Sequence, residues 1–320
     1  MPVIKSEYKA PLFLRNGHLS TILPSLFRKV EGVTYERERI TTPDNDFLDL
    51  DWIRNANNRV VIVLHGLEGS SDRHYSKGVA KQFSANGWDV VAWNARSCSG
   101  EINTQPRLYH HADIKDIYTT ITHVLNIQPY TQMALVGFSM GGAVVLNYLS
   151  KSTQIPPQIK VAVAISAPVD VGDSAKELEH PNQSFYLNRF IKKLKKKIEV
   201  KARMHPNVID ATDLEQVRTF SEFDTRFTAP LHGFANANDF YLHASAKSEL
   251  CNLTIPTLLL IADNDPFMPD SCYPYEEAEA SNNLYLEVPK HGGHVGFGPS
   301  AKDGSFWSER RAFEFIKGFI

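Results

Sequence analysis

Residues 133–150 read MALVGFSMGGAVVLNYLS: an apolar run to Phe138, Ser139 set among glycines, then a stretch of helical period. A buried strand that passes straight into a helix through Gly137-Phe138-Ser139-Met140-Gly141 has the form of a nucleophile elbow, which raises a serine hydroxyl on a sharp turn. Small residues are required on both sides of such a turn, which accounts for Gly137 and Gly141, and Gly142 lets the helix pack closely. The bare G-x-S-x-G pattern would arise by chance in roughly one chain in ten of this length. Its position between strand and helix therefore carries the argument, and Ser139 is the expected nucleophile.

Working outward, further apolar runs rich in β-branched residues lie at Arg59–Leu64, Trp88–Trp93, Lys160–Ile165, Thr257–Ile261 and Leu284–Val288. Segments of helical period separate them at His74–Asn86, Ala112–Asn126 and Met140–Ser150, with another at Trp307–Phe319. Alternation of this kind predicts an α/β fold, a mostly parallel sheet with helices on both faces. Tyr35–Ile40 and Phe47–Trp52 flank a Thr-Pro-Asp-Asn-Asp turn and predict an antiparallel hairpin at one edge, giving eight strands in all. Between about Asp170 and Ser248 no strong strand appears. Residues 1–169 and 250–320 are expected to form the core, and 170–249 a helical lid over the strand ends, where ligands bind in open α/β sheets.

A serine hydroxyl needs a base, and the base needs a carboxylate to orient it. In chain order the acid should come before the histidine. Asp263 and Asp265 follow the strand at 257–261, and His291 and His294 follow the strand at 284–288. Asp265 is favoured because Pro266 fixes the departing backbone. His294 is favoured because Gly292 and Gly293 permit a tight loop, leaving Asp263 as a loop cap and His291 exposed. Backbone donors for an oxyanion are expected from Met140, just after the nucleophile, and from Leu67 in His65-Gly66-Leu67.

Other features are less directed. Arg96–Glu101 either shapes the pocket or is a loop held by an Arg96–Glu101 pair. His110-His111 lacks a carboxylate or thiolate at ligand spacing and is read as capping a helix or facing water rather than binding metal. The stretch FIKKLKKKIEVK carries six lysines between Lys192 and Lys201 with Phe190, Ile191, Leu194 and Ile198 on a shared face. It is read as a solvated helix, with weak contact to an anionic membrane as the alternative.

The whole chain has 320 residues, 42% hydrophobic and 22% charged, with a net charge of −2, which leaves nothing general to draw nucleic acid. Three scattered cysteines fit a reducing compartment. With no signal-peptide pattern and no long apolar run, a cytoplasmic protein is expected, without cofactor.

The segments RNGHLSTILP, HGLEGSSDRHY, NARSCSGEINTQPRLYH, VGFSMGG, FDTRFTAPLHGF, ADNDPFMP and HGGHVGF span almost the whole chain and resemble the YheT-like esterases of the α/β-hydrolase superfamily, relatives of eukaryotic lipases and acyltransferases. The resemblance implies hydrolysis of small-molecule carboxylic esters, with Ser139, Asp265 and His294 at that family's triad positions. Short- to medium-chain acyl esters are the expected substrates. Acyl transfer to alcohols, lipase or thioesterase chemistry would use the same triad, and a non-catalytic binding module is the alternative from another class. The resemblance extends to Asn16, Gly17 and His18 but suggests no role for them.

Overall fold

The computed structural model describes residues 3–299 and 304–320. Its sheet runs β1 (Val3–Ile4), β9 (Leu284–Glu287), β8 (Thr257–Leu260), β7 (Ile159–Ile165), β6 (Gln132–Phe138), β4 (Arg59–Leu64), β5 (Asp89–Asn94), β3 (Phe47–Ile53), β2 (Glu36–Thr41). The eight expected strands are present within a residue or so of their expected ends. A ninth, β1, pairs parallel to β9 through Val3 opposite Leu286, too short for any periodicity to announce. Among the described strands only β2–β3 and β3–β5 pair antiparallel.

The strands are buried on both faces, as parallel strands must be when crossover helices cover each side. In β4 successive side chains alternate between two cores. Val60, Ile62 and Leu64 join the core that also holds Val144 and Tyr148, whereas Val61 and Val63 join the one that holds Val79, Phe83 and Phe315. The first core is therefore covered by α3 (Ile114–Ile127) and α4 (Met140–Lys151), and the second by α2 (His74–Ser84) and the last helix, Trp307–Lys317. A further helix, α1 (Gly17–Phe27), precedes the hairpin.

Residues 170–249 form α5 (Val171–Glu179), α6 (Ser184–Met204), α7 (Phe220–Phe223), a π-helical turn at Asp224–Thr228, α8 (Ala229–His232) and α9 (Ala237–Ala244). Their apolar faces are continuous with the sheet: Leu194, Ile198, Phe223 and Phe240 belong to the same cluster as Leu64 and Tyr148. After β8 come α10 (Tyr275–Ala280), β9 and α11 (Trp307–Lys317).

The lysines of α6 depart from the expected solvated face. Lys195 donates to the Glu215 carbonyl, Lys201 to the carbonyls of Asn103 and Gln105, Lys193 to the Glu68 carbonyl, and Lys197 to the Glu68 carboxylate at 2.7 Å. Lys192 and Lys196 are the exposed members of the run. An apolar stripe predicts where a helix touches the core, but a long lysine beside it can reach carbonyls just past the contact.

Neither reading of residues 96–101 holds. Arg96 turns inward and bonds to Asp116, Asp46 and Asp44, while Glu101 pairs with Arg39. These ions tie the end of β5, the hairpin turn and the start of α3 together, and the Arg96 side chain is only 1% exposed. Removing the cation leaves buried carboxylates unpaired, so Arg96→Met should lower stability by about 3–5 kcal/mol. Urea unfolding followed by circular dichroism measures this, and a change within ±0.5 kcal/mol would contradict the assigned role.

Candidate active site

The C-terminal ends of β4, β6, β7, β8 and β9 point to one edge, and each delivers a residue there. Ser139 leaves β6 with φ 53° and ψ −121° and is followed at once by α4. The turn closes because its neighbours lack side chains. A Cβ on Gly137 would run into the Gly141 carbonyl, and one on Gly141 would lie 2.5 Å from the Leu64 carbonyl oxygen.

The Ser139 hydroxyl lies 2.9 Å from His294 Nε2. On the other side of the ring, His294 Nδ1 lies 2.9 Å and 3.1 Å from the two oxygens of Asp265. Asp265 is buried, and its Oδ1 also accepts the Phe267 N–H at 2.9 Å. The Phe267 ring packs 4.1 Å from the imidazole, centroid to centroid, and limits its rotation. Asp263 is exposed on the same loop and His291 is partly buried rather than exposed. His294 is thus the histidine that meets Ser139, and Asp265 the aspartate that meets His294.

Leu67 and Met140 flank the serine. The donors on either side of Leu67 are committed, Gly66 N–H to the Tyr75 hydroxyl at 3.1 Å and Glu68 N–H to the Tyr109 hydroxyl at 2.8 Å. Met140 is the first residue of α4, where helix N–H groups lack intrahelical partners. Gly66 approaches so closely that a Cβ there would lie 3.0 Å from Ser139 Cβ. Behind this loop His65 is fully buried. It accepts the Ala95 N–H on Nε2 at 3.0 Å and donates from Nδ1 to the Gly66 carbonyl at 2.7 Å. Burial pushes its pKa down to about 4, so the ring is a neutral strut.

A family model described as the alpha/beta hydrolase fold matches residues 59–300. The chain belongs to the α/β-hydrolase family. It is 32% identical over 312 residues to YheT of Escherichia coli (strain K12), covering 95% of this chain and 91% of that one. It is 29% identical over 306 residues to human phospholipase ABHD3, covering 92% of this chain and 75% of that one. Among solved structures, an esterase from Pyrococcus furiosus superposes with a TM-score of 0.62 at 21% identity, over 91% of this chain and 95% of that one, which speaks to the fold alone.

As in other α/β-hydrolases, where binding and catalytic groups gather at strand ends, the serine here stands on the floor of a cleft. Its volume is about 110 Å³, and Ile22, Phe185, Tyr186, Phe190 and Phe267 make its apolar walls. Glu68 is the only carboxylate among the described lining residues, and it is bonded to Lys197 and Tyr109. Arg73, Arg189 and Lys193 line the same cleft.

Composition and spacing gave no sign of the support that α1 lends to the histidine loop. His294 N–H donates to Thr21 Oγ1 at 2.8 Å, and Val295 N–H donates to the Ser166 hydroxyl at 3.0 Å. Gly293 N–H donates to Asn264 at 3.0 Å, and Asn264 in turn donates to the Arg15 carbonyl. The loop can press this tightly on α1 because Gly293, at φ 54°, has no Cβ to strike the Gly17 carbonyl. The available signal was the likeness of RNGHLSTILP to the family, which marked the segment without saying what it holds.

Cys98 lies 3.2 Å from Lys197 Nζ, yet burial pushes its thiol pKa up, so it is not an activated thiolate. Of the two expected roles for His110 and His111, capping is the nearer: His110 Nδ1 accepts the Ala112 N–H at 3.1 Å in the turn that leads into α3. The two rings pack against His232, Phe234 and Phe240, and burial holds both pKa values down to about 3. No cluster suited to a metal ion occurs among the described residues. No described helix is long and apolar enough to cross a membrane.

Two outcomes are expected. Thr21→Val removes the acceptor beneath His294 and should slow labelling of Ser139 by a fluorophosphonate ten- to hundredfold, the usual cost of misplacing a reacting group by about 1 Å; Thr21→Ser should restore most of the rate. The buried histidines make stability depend on pH. Their folded pKa values lie below the ordinary 6.5, so the unfolded chain binds more protons between about 3 and 6.5. Stability should therefore be level above pH 6.5 and fall below it, each histidine adding at most about 1.4 kcal/mol per pH unit. Urea midpoints between pH 5 and 8 read this, and His110→Phe should flatten the slope.

Proposed function

We propose that this protein is a serine esterase that hydrolyses short- to medium-chain acyl esters through an acyl-serine intermediate. The observation that carries the reading is the continuous hydrogen-bonded line from Ser139 through His294 to Asp265 at the floor of an apolar cleft. In this mechanism Asp265 keeps the proton on His294 Nδ1, so that Nε2 takes the hydroxyl proton as Ser139 attacks the ester carbonyl. The oxyanion receives the N–H groups of Leu67 and Met140. The tetrahedral intermediate expels the alcohol with a proton from His294, and a water activated by the same ring releases the acid.

Residues 170–249 act as a cap on the site in this reading, supported by the cleft-lining positions of Phe185, Tyr186 and Phe190 in α6. The relatives named a phospholipase and, in Saccharomyces cerevisiae, a monoacylglycerol lipase, 25% identical over 290 residues, support an ester as the substrate.

The test is hydrolysis of p-nitrophenyl esters from acetate to palmitate. Ser139→Ala should abolish turnover, and Asp265→Asn should lower kcat by about 10⁴ by placing the wrong tautomer next to the serine. Turnover that survives Ser139→Ala would refute the mechanism, and a chain-length optimum at palmitate would refute the substrate range.

A further inference from the structure

Helix α1 is oriented against the ordinary rule for a surface helix. Its apolar residues Leu19, Ile22, Leu23, Leu26 and Phe27 fall at the i, i+3, i+4, i+7, i+8 positions of one helical face, which normally turns to the core. Here the helix packs inward through small and polar groups instead. Ser20 and Pro24 are its buried residues, the Ser20 and Thr21 hydroxyls return to the Gly17 carbonyl, and Thr21 supports His294. Ile22 and Leu23 are half-buried, but the rest of the apolar face is left at the surface, with Leu19 45%, Leu26 55% and Phe27 72% exposed.

This face borders the entrance to the cleft. Ile22 lines the cleft from α1, and Phe185, 56% exposed, lines it from the opposite rim. The cations Arg73, Arg189 and Lys193 stand around the same opening, and Arg73 donates to Ser25 of α1. The one carboxylate among the described lining residues, Glu68, is occupied by Lys197, so the rim presents net positive charge beside exposed hydrocarbon.

From this we infer that α1 and the rim of α6 dock on an anionic phospholipid surface, which places the mouth of the Ser139 cleft against the lipid. An apolar helix face flanked by Arg and Lys suits the boundary between acyl chains and anionic headgroups. The orientation delivers an ester from the lipid phase directly to the site, and in that respect it rests on the esterase reading. The lysine run of α6 contributes little, since most of it is bonded inward.

The test is co-sedimentation of the full chain with vesicles of phosphatidylglycerol and phosphatidylcholine in equal parts, beside phosphatidylcholine alone. Wild type should bind the anionic vesicles, and the double variant Leu26→Glu, Phe27→Glu should bind at least about tenfold more weakly. Both side chains lie outside the cleft, so hydrolysis of monomeric p-nitrophenyl butyrate should persist and report correct folding. Leu19→Ser with Leu26→Ser provides a milder pair and should weaken binding in the same direction. Ser139→Ala should bind like wild type, so vesicle binding survives even if the esterase reading fails. Wild type that stays in the supernatant, or variants that bind equally well, would overturn the inference. So would a wild-type dimer that the double variant dissociates, because the face would then belong to a second copy.

Discussion

The turn at Ser139 constrains everything around it. A serine at φ 53° and ψ −121° sits in sparsely populated backbone space, at a cost of order 1–3 kcal/mol that the surroundings must hold in place. Its N–H is held by the Ile165 carbonyl at 2.8 Å, and its own carbonyl accepts the Ala143 N–H at 3.0 Å, which anchors it to β7 and to the first turn of α4. β6 lies between β4 and β7 in the middle of the sheet, so the strain is borne by the most heavily paired part of the molecule. The neighbouring strand ends then set the positions of Gly66, Ser166, Asp265 and His294 around the hydroxyl.

The loop after β4 shows how the 170–249 segment is bound into this arrangement. Glu68 has φ 55° and follows Leu67 directly. Its carboxylate accepts from Lys197 and Tyr109, its carbonyl accepts from Lys193, and its N–H is taken by Tyr109. A residue in a strained conformation is thereby held from both sides, by the loop before α3 and by α6. The helix that lines the cleft and the loop beside the serine are parts of one hydrogen-bonded unit.

What could be read in advance follows the range of the interactions. The strands, the elbow and the two chemistry-bearing loops were legible because each is written in contiguous residues: apolar runs, glycines around Ser139, Asp265 before Pro266, His294 after two glycines. Interactions that bridge distant segments left no such trace. Thr21 meets His294 across most of the chain, and its hydroxyl looks like any helical threonine. Arg96 stands in a loop with an obvious acidic neighbour in Glu101, yet the three aspartates that bind it come from other elements. The lysines of α6 obeyed the helical period, but their length carried the ammonium groups past the face that the period assigned them.

The pairing of β1 with β9 joins Val3 to Leu286 and Ile4 to Glu287, so the first strand of the sheet waits for the last. During synthesis from the N-terminus, β4 to β7 can pair while β8, β9 and the histidine loop are still unmade. The nascent chain must keep the open edge of β7, and the underside of α1, without their partners until the final segment emerges. Closing so long a loop adds entropy only slowly with length, but it slows assembly, because the contacts that repay it arrive last. A ribosome-bound fragment that stops before β9 would consequently carry the turn at Ser139 already shaped, with no imidazole beside its hydroxyl.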